Sequence, residues 1–120
     1  MADRVLFIAW GAPVRGREER SLEVFNEALG ICGRMQQEDR IEGFNVRLFD
    51  PNAELGGYIE MRGSAAQIAA LREDEEFRRN TVDAELCVEG LRHIVGSADE
   101  AVARDMAMYQ EALAHAPQMA

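Results

Sequence analysis

The stretch RVLFIAW, residues 4–10, decides the fold because apolar side chains fill it from Val5 to Trp10. β-branched and aromatic residues without polar interruption are typical of a central strand that is covered on both faces. Side chains alternate along a strand, so this one divides into two apolar sets: Val5, Phe7 and Ala9 on one face, and Leu6, Ile8 and Trp10 on the other. The rest of the molecule must supply a cover for each set.

A long amphipathic helix is predicted after this strand, over residues 17–38. Apolar residues recur there at spacings of three and four, the period of one helix face: Leu22, Phe25, Leu29, Cys32 and Met35 or Gln36. We expect this face to cover one side of the first strand.

Two strand-like runs follow, IEGFNVRLFD (41–50) and LGGYIEMRG (55–63), and the turn residues Asp50-Pro51-Asn52 between them predict a hairpin. Matching the apolar faces sets the register. Phe44, Val46 and Leu48 then share a face with Ile59 and Met61, and the other face carries Asn45, Arg47, Tyr58, Glu60 and Arg62. This polar face is either an ion-pair set, in solvent or at an interface, or the lining of a cavity.

Ser64 and Gln67 form a capping-box pattern that predicts the start of a second helix. A further helical piece at roughly 74–85 is anchored by Phe77 and Ala84, and the charged run REDEE (72–76) predicts an exposed break between the two pieces.

The run CVEGLRHIVG (87–96) predicts a fourth strand, and Ser97 with Glu100 repeats the capping-box pattern. A final amphipathic helix follows, with an apolar stripe made of Val102, Met106, Tyr109 and Leu113. Pro117 is predicted to stop it.

The predicted order of elements is therefore that of an α+β, ferredoxin-like βαββαβ domain, with an antiparallel sheet, helices on one face and an extra C-terminal helix. We expect one domain over residues 1–120, with a core at 4–96 and the last helix at about 97–115. Helices on one face leave the other apolar set of the first strand exposed, and such patches mark interfaces. A two-fold homodimer through the open sheet face would cover that set.

Three blocks carry a resemblance to a known superfamily: WGAPVRGRE (10–18), IEGFNVRLF (41–49) and RGSAAQIAALREDEEF (62–77). Together they resemble the dimeric α/β barrel superfamily, and more narrowly a small bacterial family of uncharacterised proteins. The resemblance implies two ferredoxin-like protomers that join their sheets. Members of the superfamily include cofactor-independent monooxygenases, isomerases and haem-degrading enzymes, so the resemblance does not select a reaction.

Composition excludes several classes of partner. Net charge is −9, from 22 acidic and 13 basic residues, so nucleic acids and anionic membranes are not expected to bind. No apolar run is long enough for a signal peptide or a membrane span. Cys32 and Cys87 lack CxxC or metal-ligand spacing, which favours buried, reduced thiols in a cytoplasmic protein, with no disulfide or metal site.

His93 is the candidate catalytic residue, because the other histidine, His115, falls at the end of the last helix. It is either a structural residue or, if it faces a pocket between sheet and helices, a general base or haem ligand. Its direction is left open by the sequence. In the enzyme hypothesis, Trp10 and Tyr58 line the same pocket.

Arg15 and Arg17 are candidate ligand-binding residues because they stand beside a helix N-terminus, where backbone N–H groups favour anions. Two features argue against an anion site there. Glu18 and Glu19 in the first turn already complement the helix dipole and would repel an anion, and the loop lacks a glycine-rich phosphate-binding motif. Glu42 is either a cavity carboxylate or an exposed side chain.

Three functional hypotheses remain. The first is a small homodimer that binds an organic ligand. The second is a cofactor-independent monooxygenase or isomerase for an aromatic or polyketide-like substrate. The third is a structural or regulatory dimer without a ligand. No motif identifies a cofactor, and we expect none.

Overall fold

The computed structural model describes residues 2–116, which form four strands and four helices. In chain order these are β1 (Arg4–Trp10), α1 (Glu18–Gln37), β2 (Gly43–Leu48), β3 (Gly57–Gly63), α2 (Ala65–Glu73), α3 (Glu75–Glu85), β4 (Arg92–Ser97) and α4 (Glu100–His115). This order confirms the predicted α+β arrangement with its extra C-terminal helix. No helix in this part of the chain is long and apolar enough to cross a membrane.

The strands form one antiparallel sheet in the order β2-β3-β1-β4. Strand β1 is central, as its uninterrupted apolar sequence predicts. Phe44 lies opposite Met61 and Val46 opposite Ile59, which confirms the predicted register of the hairpin. The topology is that of the ferredoxin-like fold.

Helices α1, α2 and α3 cover one side of the sheet, which we call the closed face. The core on this side consists of Leu6, Ile8, Ile31, Cys32, Met35, Ile41, Ile59, Met61, Ile68, Leu71 and Phe77. The opposite side, the open face, has no layer from these three helices and carries Val5, Phe7 and Ala9 of β1. Ile94, which pairs with Phe7 on this face, is 51% exposed.

The predicted apolar stripe of α1 is only partly correct. Leu22 is exposed, whereas Val24 and Ile31, which lie outside that stripe, are buried. The reason is that α1 packs against α3 as well as the sheet, so its buried surface is wider than one stripe. Asn80 Nδ2 of α3 donates to the Val24 carbonyl at 3.1 Å.

The boundary between α2 and α3 is sharper than predicted. The capping box at the start of α2 is confirmed, since Ser64 Oγ accepts from the Gln67 N–H at 3.1 Å and the Gln67 side chain accepts from the Ser64 N–H. The expected exposed break, however, is the single residue Asp74. Its carboxylate accepts from the Phe77 N–H at 2.9 Å and caps α3 directly.

Strand β4 is shorter than the predicted 87–96. Its first residues pair instead with the loop that follows β1, where the Gly11 N–H donates to Glu89 O and the Val14 N–H donates to Cys87 O, both at 2.7 Å. Gly90 then adopts φ +64°, which suits glycine, and redirects the chain before β4 begins.

The predicted capping box at Ser97 is wrong. Helix α4 begins after Asp99, which has φ 51° and no capping side chain. The Ser97 hydroxyl instead accepts from Arg4 Nη1 at 2.9 Å and donates to Asp105, so it fastens the first turns of α4 to the sheet. The helix ends at His115; Pro117, predicted to stop it, lies outside the described residues.

Candidate functional site

A cavity of about 650 Å³ lies between the closed face and helices α1 and α3. The loop between β2 and β3 and the segment before β4 complete its wall. Its mainly apolar lining includes Ile8, Trp10, Phe25, Ala28, Leu48, Phe49, Ile59, Phe77 and Leu91. Ligand pockets of several hundred Å³ with apolar walls and a few polar groups accommodate small organic molecules.

His93 faces this cavity, which resolves the direction that the sequence left open. It pairs with Ile8 in the β1–β4 ladder and shares the closed face with it. The imidazole is half-buried, and its ring centroid lies 5.7 Å from that of Phe77. Burial lowers the pKa of His93, the nearby Arg72 charge lowers it further, and Glu85 opposes the shift. The neutral imidazole, which can accept a proton, is therefore favoured at neutral pH.

Trp10 forms another part of the cavity wall, at the end of β1. Its ring lies 5.6 Å from the ring of Phe25, centroid to centroid. Two glycines make this position possible, because a Cβ on Gly56 would lie 3.2 Å from the indole and one on Gly57 would lie 3.1 Å from it. The Gly57 site is closed to any side chain, since a Cβ would also lie 2.5 Å from Arg47 O.

Tyr58 does not belong to this cavity, so the expectation that it lines one pocket with Trp10 and His93 is wrong. Tyr58 lies opposite Ala9 in the β1–β3 register and therefore points to the open face. Its ring lies 5.0 Å from that of Phe7 and 5.9 Å from that of Phe49, centroid to centroid. The period of two along a strand separates it from the cavity.

Arg15 and Arg17 are exposed and lie outside the cavity lining. Gly16, at φ +90°, turns the chain between them, and its N–H donates to Glu18 Oε1 at 2.8 Å. Arg17 donates to the Leu86 carbonyl, which ties the start of α1 to the end of α3. A carboxylate thus already binds backbone N–H at this helix start, and the structure does not bring the two arginines together with Trp10 or His93.

The polar residues of the hairpin lie on the open face as the register predicts. Glu60 and Arg62 form an ion pair at 3.6 Å, and each side chain is about one-third exposed. Glu42 lies just before β2 and is exposed; its N–H donates to Arg62 O at 2.9 Å. These groups are separated from the cavity by the sheet.

Several cavity residues were missed from the sequence. Phe77 and Ala84, which the sequence predicts only as anchors of this helix, line the cavity from α3 together with Thr81, and the spacing of four and three residues places all three on one face. Cys32 and Cys87 are buried free thiols, as predicted, and both also line the cavity. Burial raises the pKa of Cys32 to about 11, which keeps this thiol protonated and unreactive.

Within residues 2–116, no cluster of three or more His, Cys, Asp and Glu side chains is arranged to hold a metal ion. His115, at the exposed end of α4, is remote in the chain from the cavity residues.

No family model matches the chain, and no curated protein matches it by sequence. Solved structures do match. A conserved protein of unknown function from Bacteroides thetaiotaomicron, described as a possible oxidoreductase, has a TM-score of 0.62 at 10% identity, covering 82% of this chain and 100% of its own. A dimeric protein of unknown function with a ferredoxin-like fold from Bacteroides fragilis has a TM-score of 0.59 at 12% identity, covering 79% and 96%.

A third similar structure is SnoaB, a cofactor-independent oxygenase from Streptomyces nogalater, with a TM-score of 0.54 at 15% identity, covering 82% of this chain and 96% of its own. At these identities the similarity establishes the fold. The predicted resemblance to dimeric ferredoxin-like and monooxygenase-like proteins is thereby confirmed at the level of architecture, and function has to be argued from the site.

Proposed function

We propose that this protein is a homodimer of one-domain ferredoxin-like protomers, each of which binds a small, mainly apolar organic molecule in the cavity. The observation that carries the proposal is the 650 Å³ space in which apolar walls surround the imidazole of His93. An apolar body would displace water from the walls, and one polar group on the ligand would pair with the imidazole. We also propose a cytoplasmic location, supported by the two free thiols.

The open face supports the dimer. Phe7 and Tyr58 are in ring contact there, and Ile94, which pairs with Phe7, is half exposed. An apolar surface of this kind in the middle of a sheet is typical of an interface. A two-fold axis would place the same surface of a second copy against it.

The chain's only tryptophan provides the test of binding. We expect N-phenyl-1-naphthylamine, a neutral two-ring probe, to bind saturably and to accept excitation energy from Trp10. Ala28→Phe should narrow the cavity and weaken binding about tenfold, or roughly 1.4 kcal/mol. Ala69→Phe, at an exposed position of α2, is the matched control and should leave binding unchanged. The binding proposal would be contradicted if energy transfer from Trp10 to the probe did not saturate, or if the two variants bound the probe with equal affinity.

The second candidate function is cofactor-independent oxygenation of an aromatic substrate. It is favoured by the neutral His93 imidazole in the cavity and by the similarity of the fold to that of the cofactor-independent oxygenase SnoaB. His93 would accept a proton from a substrate hydroxyl, and the electron-rich anion would react with O₂. One oxygen atom would enter the substrate, and the other would leave as water with two hydrogens that the substrate loses as it is oxidised to a hydroxyquinone, so the substrate itself is the reductant.

Oxygen uptake separates the two functions. With a panel of quinols, the oxygenase requires enzyme-dependent uptake that His93→Gln lowers by about 10²-fold or more, since general bases contribute about this much. The same variant should still bind N-phenyl-1-naphthylamine. Binding without oxygen uptake would favour a carrier or sensor, and failure of both assays would favour the ligand-free structural or regulatory dimer.

A further inference from the structure

Helix α4 stands apart from the rest of the fold. Its first turns are held by the Arg104–Asp3 ion pair at 2.7 Å and by the Ser97–Asp105 hydrogen bond. Ala101 is its only buried residue, and every described position from 102 to 116 is exposed. The radius of gyration, 17.1 Å, exceeds the roughly 14 Å expected for a compact chain of this length. The helix therefore projects from the domain.

The similar structures cover 79–82% of this chain but 96–100% of their own. Arg4–Ser97 makes up about the same four-fifths of the chain. We infer from this agreement that α4 is an addition to the shared fold, so its surface requires an explanation of its own.

The exposed surface of α4 has the pattern of a helix–helix contact. The α4 stripe consists of Val102, Met106, Tyr109 and Leu113, which are 46%, 52%, 61% and 45% exposed. Their spacing of four, three and four residues places them at successive a and d positions of a heptad repeat. A helix of 16 residues is marginal in water unless such a face is packed.

We propose that the α4 stripe packs against the α4 stripe of a second copy of this chain. A heptad seam fits another helix with the same spacing, because each side chain enters a gap between four residues of the partner. Among helices α1–α3, the core-facing residues already pack on the sheet. Within the described chain, only α4 presents a continuous a/d stripe that is exposed throughout, and a two-fold axis pairs it with itself.

This inference rests on the proposed dimer, because two heptads are too short to join separate chains at high affinity. Association through the open face would raise the effective concentration of one α4 near another. The paired helices would then strengthen the assembly, whether they join the same two chains or a second pair.

Two methionines on α4 provide a matched test of the stripe. Met106 lies in it, and Met108, 68% exposed, points to the opposite side of the same helix. Sedimentation should show that Met106→Glu raises the dissociation constant of self-association at least about tenfold, whereas Met108→Glu changes it less than about twofold. Equal effects would overturn the proposal.

The partner is identified by photo-crosslinking of the purified protein. A benzoylphenylalanine placed at Tyr109 should yield a covalent two-chain product whose link maps to α4 of the second chain, and the same group at Met108 should not. The pairing would be overturned by a link within one chain, by a link to another element, or by a yield of two-chain product no higher than that obtained from position 108. If sedimentation shows dimers that Phe7→Lys abolishes while the crosslink fails, only this inference falls; a protein that is monomeric throughout would refute the proposed dimer as well.

Discussion

The apolar side chains of β1 are buried to different extents, and by different partners, on the two faces of the sheet. On the closed face, Leu6 and Met61 are fully buried by helices of the same chain, and a cavity remains beside them. On the open face, Phe7 is only half-buried and meets Tyr58 rather than a helix. If the proposed dimer forms, the same strand contributes one side to the stability of the protomer and the other to contact between protomers. Substitutions on the closed face should therefore change the stability of the protomer, and substitutions on the open face should change association.

The largest effect is expected on the closed face. Leu6→Ala removes a fully buried side chain and leaves a void in the core, so it should lower the free energy of unfolding by about 3 kcal/mol. Ile94→Ala, at a half-exposed position of the open face, should lower the unfolding free energy of the monomer by less than about 1 kcal/mol. Urea unfolding at low protein concentration checks both. Comparable losses would mean that the open face is also part of the protomer's core.

The next effect concerns association through the open face. Phe7→Lys places a charge in the middle of that face, opposite Glu60 on β3, so the folded monomer gains a cross-strand partner while the dimer is disfavoured. We expect the dissociation constant to rise about 100-fold, or roughly 2.7 kcal/mol. Val82→Lys, at an exposed apolar position of α3, is the control and should leave sedimentation unchanged. A dimer that survives Phe7→Lys would place the interface elsewhere.

A smaller, pH-dependent effect is expected at His93 on the closed face. Because the pKa of His93 is lowered in the folded state, the unfolded chain takes up a proton more readily as pH falls. Its contribution to stability is therefore fully present above the unfolded value, near 6.5, and is lost as pH falls from there through the lowered folded value. His93→Phe should make the unfolding free energy less dependent on pH between about 7.5 and 5. An unchanged slope, measured by urea unfolding, would show that the imidazole is not desolvated.

The sequence was sufficient to predict the sheet but not the cavity, and particular residues show why. Alternation in the hairpin predicts the register that pairs Val46 with Ile59, because a shift by one residue would expose the apolar set. The direction of His93 depends on where β4 begins, and that is set by pairing of Glu89 with the distant Gly11. Periodicity along one segment contains no information about such a contact, so the cavity could not be assembled from it.

The smallest effect is expected for the Glu60–Arg62 ion pair on the open face. In a monomer, both side chains are about one-third exposed, so water screens their attraction. A double-mutant cycle with Glu60→Gln and Arg62→Gln should then give a coupling energy of about 0.2–1 kcal/mol. In the proposed dimer the same pair would be removed from water, and loss of one partner would leave the other charge uncompensated. The cycle repeated at a protein concentration that favours dimers should give a larger coupling. The same coupling at both concentrations would mean that a second copy does not cover this part of the open face, even if it covers Phe7.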